Sequence, residues 1–233
     1  MSETVSRPPI PASLAGRPVR GGLAQPWANV ELADGGVDFR TAHHARYAKC
    51  WKSCRCQSCG QPTGDPAVLI CGPRQILHRK FDEPPLCPPC ALYVSKACPM
   101  VNGNTEVYPS RARVSDGHRG EKCGDPGCGC GGWVETDPEH SADQGGQPAL
   151  PWYACWIHPG DYTVTAHKTI TRCSDKGCEH ERLIVNGGLL NVAPLKIYLV
   201  SEPGNGRIWR RLTQDEAEAH ATAALPPTEE NAR

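Results

Sequence analysis

The sequence predicts an α+β fold, and three observations predict it. Two Cys-x2-Cys pairs, Cys56-Gln-Ser-Cys59 and Cys87-Pro-Pro-Cys90, flank short apolar runs, and the second pair opens a helical pattern. Through the second half, apolar segments lie on either side of Gly-containing turns, the pattern of β-hairpins. Near the end, Thr213-Gln-Asp-Glu216 is a capping box before an Ala- and Glu-rich segment, which marks a helix to about Leu225.

The cysteine pairs carry the most chemistry. A Cys-x2-Cys turn points two thiolates at one ion, and Gly60 relieves the tight turn after Cys59. Two such pairs supply the four sulfurs of a closed tetrahedral zinc site: Cys56, Cys59, Cys87 and Cys90. The gap between them has room for a β-hairpin. The helical run from Cys90 to Ala97 places the last ligands in a first turn, where free N–H groups favour negative charge. Knuckle, hairpin and ligand-bearing helix make a treble-clef-like or zinc-ribbon-like module. Cys54 or His78 could replace one of the four ligands. Disulfides or small core residues are the bland alternative for these thiols.

Composition agrees with metal stabilisation. The chain has 233 residues, 14 of them Cys, with 39% hydrophobic residues but 6% aromatic and 2 Phe. That is a thin supply for one large core. Residues 1–23 hold no long apolar run and are interrupted by Pro8, Pro9, Pro11 and Pro18, so neither a signal peptide nor a membrane anchor is expected. Many cysteines without an export signal point to a reducing cytoplasm and metal ligation. Net charge is zero but uneven. Up to Lys122 there are 16 basic and 10 acidic residues, and from Cys123 onward 9 and 15. The basic first half could attract nucleic acid, or Lys49, Lys52 and Arg55 could simply offset four thiolates.

In order, residues 1–24 form a Pro-rich extended arm that Ile10, Leu14 and Val19 could dock on the body. Residues 25–110 form the zinc module. It begins with a hairpin about Asp34-Gly35-Gly36 and a short helix over 41–52, with His43 and His44 at its start. Between the ligand pairs, two strands at 68–70 and 75–77 are expected about Gly72-Pro73. Residues 111–212 form a β-rich part, and 213–233 the closing helix and tail.

The β-rich part contains an internal repeat. Cys123-Gly-Asp-Pro-Gly-Cys128-Gly-Cys130 and Cys173-Ser-Asp-Lys-Gly-Cys178-Glu-His180 both read Cys-x-Asp-x-Gly-Cys-x-(Cys or His). Between them, 152–157 and 162–166 are expected to pair as a hairpin about His158-Pro-Gly-Asp161, which would bring both arms together. Cys123, Cys128, Cys173 and Cys178 are then the ligands of a second zinc ion, with Cys130 and His180 as substitutes. Further strands are expected at 183–185 and 195–200, split by Asn186-Gly187-Gly188.

Several stretches together, residues 7–23, Cys56-Gln-Ser-Cys-Gly-Gln-Pro62, Ala97-Cys-Pro-Met-Val101 and Trp152-Tyr-Ala-Cys-Trp-Ile-His158, resemble a family of small zinc-ribbon-like proteins of actinobacteria and actinophages. Some members are labelled as cell-envelope biogenesis proteins. Members often carry His-x2-Cys where this chain has Cys87-x2-Cys90, and since both pairs are zinc-compatible the resemblance implies a zinc site at the first cluster. The arms at 123–130 and 173–180 look like additions in this chain. The resemblance implies no activity.

Three function classes fit these features. The first is a non-enzymatic zinc-binding protein that acts through a macromolecular partner, since four thiolates leave no open position for water. The second is nucleic-acid binding, with Arg74, His78, Arg79 and Lys80 clustered before Asp82 and Glu83. The third is a nuclease of the His-Asn-His type, whose base would sit on the first strand between the ligand pairs. That strand, Val68-Leu-Ile-Cys71, holds no His or Asp. No phosphate loop, dinucleotide fingerprint or Ser-His-Asp signature is present. No catalytic residue is assigned, and no membrane partner is expected.

Overall fold

A four-stranded antiparallel sheet with an apolar cluster on each face organises the chain. The computed structural model describes residues 7–31, 37–108, 120–122, 133–135, 146–172 and 179–226. The sheet joins β5 (Ala67–Cys71), β9 (Trp152–Ile157), β12 (Lys196–Glu202) and β13 (Gly206–Leu212) in the order β13-β12-β9-β5. One strand comes from the segment of the first cysteine pairs and three from the β-rich segment. Side chains alternate across it, as the strand period of two requires. Leu69, Tyr153, Cys155, Ile157, Ile197 and Leu199 enter one apolar cluster. Val68, Ile70, Ala154 and Val200 enter a second, which includes Cys56, Cys59, Cys87 and Cys90.

The first cluster is closed by helices and a second sheet. Helix α1 (His44–Lys52) brings Trp51, α2 (Pro73–His78) brings Ile76, and α4 (Gln214–Ala224) brings Ala217 and Ala221. In the second sheet β11 (Glu179–Leu190) lies between β10 (Tyr162–Arg172) and β6 (Lys80–Phe81). The second cluster is closed by helix α3 (Pro88–Ala97) and the N-terminal arm, where a 3₁₀ turn at Ala12–Leu14 buries Leu14. The arm continues through β1 (Val19–Arg20) and β2 (Leu23–Ala24), and the Ala24 N–H donates to the Tyr93 hydroxyl at 3.0 Å. Leu14 docks as expected and Ile10 is half-buried, but Val19 is 52% exposed. Two further short antiparallel pairs are described, β3 (Asn29–Glu31) with β4 (Val37–Ala42) and β7 (Gly120–Lys122) with β8 (Trp133–Glu135).

Mixed helix and antiparallel sheet agree with the α+β expectation, and the structure corrects it in three places. Residues 75–77 are helical, not a strand. Pro73 occupies the first helical turn, where its missing N–H costs nothing, and Gln75 Oε1 accepts the Gly72 N–H at 3.1 Å. The hairpin expected between the ligand pairs is therefore strand, helix and short strand. The expected pairing of 152–157 with 162–166 does not form either. β9 is apolar on both faces and sits between β5 and β12, so it has no free edge for β10. β10 instead pairs with β11 from Tyr162↔Leu190 to Arg172↔Glu179. Finally, Gly187 and Gly188 interrupt no strand. They lie inside β11, because a Cβ on Gly187 would strike the Phe81 carbonyl and one on Gly188 the Trp51 ring.

Candidate metal centre

The chain around Cys56 is a tight knuckle held by its own backbone. The Cys56 N–H donates to the Gln61 carbonyl and the Gly60 N–H to the Cys56 carbonyl, both at 2.8 Å. Gly60 has φ +75°, and a Cβ there would stand 2.6 Å from the Trp27 ring, so the sequence needs glycine at this point. Trp27 and Ala28 fasten the arm to the knuckle through N–H bonds to the Ser58 and Gln57 carbonyls. Arg55 crosses the knuckle and donates to the Gly60 carbonyl at 2.8 Å. Its charge acts on the neighbouring Cys50 thiol, where it opposes the effect of burial.

The second pair is aimed by the central sheet. Leu86 forms a bridge with Val68 of β5, with N–H bonds of 2.8 and 2.9 Å in both directions. The next residue, Cys87, is the N-cap of α3, with Pro88 and Pro89 in the first turn and Cys90 one turn in. Prolines fit there because the first N–H groups of a helix have no partner within it. The Cys90 N–H is free to donate to the Cys87 sulfur. The Gln57 side chain and backbone N–H reach the Pro84 and Pro85 carbonyls, which joins the two knuckles.

These constraints bring four sulfurs together. The Sγ atoms of Cys56, Cys59, Cys87 and Cys90 all lie within 4.8 Å of one another, and Cys59 and Cys87 are 3.9 Å apart. A zinc–sulfur bond of about 2.3 Å in a regular tetrahedron puts sulfurs about 3.8 Å apart. The donor set and its spacing therefore fit a tetrahedral thiolate-binding ion. All four side chains are buried, at 0%, 7%, 8% and 0% exposure. Their thiols bond to one another. A hydrogen bond from Cys56 holds the Cys59 thiol well below its ordinary value and brings Cys87 down to about 7. The Gln61 N–H adds to the effect at Cys59. Cys56, as the donor to Cys59, is pushed up. A cluster already biased toward thiolate at some sulfurs releases its remaining protons when a cation arrives.

Among the described residues, the other cysteines and the histidines stand apart from this cluster. Cys54, an alternative ligand on sequence grounds, is turned away and lies 3.3 Å from the Thr63 hydroxyl. His78 is exposed at the end of α2. Burial pushes the Cys50 thiol up to about 12. His43 caps α1 by accepting the Arg46 N–H. Cys71 and Cys155 face each other at 3.9 Å on neighbouring strands, a juxtaposition that strand pairing alone produces and that the sequence did not signal. Cys123, Cys128, Cys130, Cys173 and Cys178 lie outside the described residues, and His180 is described only by its backbone, opposite Thr171. The expectation that a hairpin at 152–166 brings both arms together falls with that hairpin.

No helix among the described residues is long and apolar enough to cross a membrane. Compared with protein-family models, with curated proteins and with solved structures, the chain matches none.

Proposed function

We propose that Cys56, Cys59, Cys87 and Cys90 hold a structural Zn²⁺ ion, and that the chain is a non-enzymatic protein of the cytoplasm acting through a macromolecular partner. The observation that carries this reading is the convergence of four buried sulfurs on one point. Four thiolates fill a tetrahedral shell, so such an ion has no position for water or substrate and serves to hold structure. A knuckle followed by a ligand-bearing helix N-terminus supports a treble-clef-like module, with strand, helix and short strand between its ligand pairs. This fits the zinc-ribbon-like actinobacterial and actinophage proteins that the chain resembles, and we place it with them on that likeness. The repeated arms, with Cys123, Cys128, Cys173 and Cys178 as ligands and Cys130 and His180 as substitutes, are the proposed second site.

Elemental analysis and native mass spectrometry on protein purified under reducing conditions test the reading. Two zinc ions per chain support both sites. One ion, lost on substitution of Cys56, supports the first and removes the second. No metal, with cysteines oxidised, overturns the proposal.

A further inference from the structure

We infer that the face of the central sheet beside the cysteine cluster binds single-stranded nucleic acid through Trp156, Tyr198 and Trp209. The inference names the partner in the reading above, and its site is separate from the four sulfurs. These three residues stand on β9, β12 and β13, three neighbouring strands, and form a continuous aromatic row across the sheet. Trp156 and Tyr198 have ring centroids 6.2 Å apart at an interplanar angle of 53°. Tyr198 and Trp209 are stacked, 5.5 Å apart at 21°. All three are half-buried and pack against the second apolar cluster, and Tyr198 and Trp209 each turn one face to the other.

The charged side chains set directly against the row are basic. Lys196, paired with Trp156 across the strands, places its ammonium 5.7 Å from the Trp156 ring centre. Arg211 is opposite Tyr198. Arg207 lies 4.8 Å from the Trp209 ring centre, fixed there by its Nε–H donating to the Ser95 hydroxyl at 3.1 Å. Glu202, the carboxylate carried by β12, bonds His220 on the opposite side of the sheet, Asp65 pairs with His158, and Glu106 lies at the β12–β13 turn beside Gly204.

Flat π-faces interleaved with cations match a ligand with flat bases and regularly spaced phosphates. Every base offers a π-face, so such a row binds strands with little regard to sequence. A duplex hides its base faces and cannot use it. In the free protein Lys196 covers the outermost ring. On binding, a base takes the Trp156 face and the ammonium moves to a phosphate. Arg207 remains in place as a prepared plane next to Trp209.

The test is fluorescence anisotropy with a labelled oligothymidylate and its oligouridylate counterpart, against a duplex of the same length. Binding with a Kd near or below the roughly 10⁻⁴–10⁻⁶ M of non-specific contacts is expected for the single strands. Trp156→Ala should weaken it roughly 5- to 150-fold, the loss for one stacked base. Lys196→Gln and Arg211→Gln, both at exposed positions, should each flatten the salt dependence by about 0.7 in the log–log slope. They keep the test decisive should Trp156→Ala fail to fold. No binding above about 10⁻⁴ M at low salt overturns the inference. So does equal affinity for duplex, capture of a proline-rich peptide by this face with the oligonucleotides excluded, or indifference to all three substitutions. A negative result with zinc content intact refutes this site and leaves the metal reading standing.

Discussion

Replacing Cys56 by Ala, with Cys54→Ala as its matched control, separates a metal ligand from an ordinary thiol two residues away. Cys56 is 0% exposed and belongs to the four-sulfur cluster. Cys54 lies outside that cluster, with its sulfur 3.3 Å from the Thr63 hydroxyl. A structural zinc site contributes about 10–16 kcal/mol of binding free energy, which appears as folding free energy when the unfolded chain holds no site. The part that shows in a melt depends on free metal. An ion present at about 1,000 times its Kd stabilises the fold by about 4 kcal/mol. For a chain of this size 1 kcal/mol moves the melting temperature by about 2–4 °C. Cys56→Ala should therefore lose the ion and melt about 8–16 °C lower. Cys54→Ala should retain the ion and fall by no more than about 4 °C, since a weak half-buried contact is worth about 1 kcal/mol or less. Metal per chain by elemental analysis and unfolding by calorimetry are the two readouts. If Cys56→Ala keeps the wild-type metal content and melting temperature, the cluster is not a structural metal site.

Three further outcomes follow from the geometry. Gly187→Ala should destabilise by about 3 kcal/mol or more, because its Cβ would meet the Phe81 backbone, which cannot rotate away as a side chain can; unchanged denaturant midpoints would contradict the β6–β11 contact. His220→Ala should cost about 1–3 kcal/mol, since the fully buried Tyr153 hydroxyl bonds His220 Nδ1 at 2.6 Å and would lose its partner. Adding Tyr153→Phe should recover part of that loss, and strict additivity of the two would refute the coupling. His158 is held above its ordinary value by its bond to Asp65 at 2.8 Å, so an NMR titration should show its pKa falling in Asp65→Asn. The sign follows: the pair's contribution is fully present below the unfolded value of about 6.5 and disappears as pH rises through the folded value.

The spacing of the cysteines made the candidate site legible because ligand geometry is local. Two residues between thiols define a knuckle whatever surrounds it, and Gly60 and the prolines after Cys87 mark its turn and its helix start. The capping box at Thr213 was legible for the same reason, and both its bonds form. What joins the pieces was not legible. The β9 run reads equally well as half of a local hairpin or as the middle of a sheet, and the choice depends on β5 and β12, far away in sequence. Residues 75–77 read as a strand because three apolar or neutral residues have no period, whereas Pro73 with Gln75 starts a helix. The aromatic row was invisible because its members come from three strands whose register only the fold supplies.

The cysteine cluster and the aromatic row are mechanically connected, and that connection has a consequence for metal removal. Leu86, next to Cys87, is bonded to Val68 of β5. Ser95 of α3 holds Arg207 against Trp209, and the Ser201 hydroxyl of β12 donates to the Val101 carbonyl just beyond α3 at 2.7 Å. Trp152, Trp156 and Trp209 all pack on the cluster that contains the four sulfurs. An ion held by the four sulfurs would fix the start of α3, and α3 in turn holds the guanidinium on Trp209. Stripping metal with a strong chelator under reducing conditions should therefore alter tryptophan emission and near-ultraviolet dichroism before the first apolar cluster unfolds, because Tyr153 and α4 belong to the opposite face. Far-ultraviolet dichroism should change less over the same interval. If the aromatic signals and the global unfolding signal change together, the two faces of the sheet form one cooperative unit, and the ion stabilises the whole chain rather than the face it adjoins.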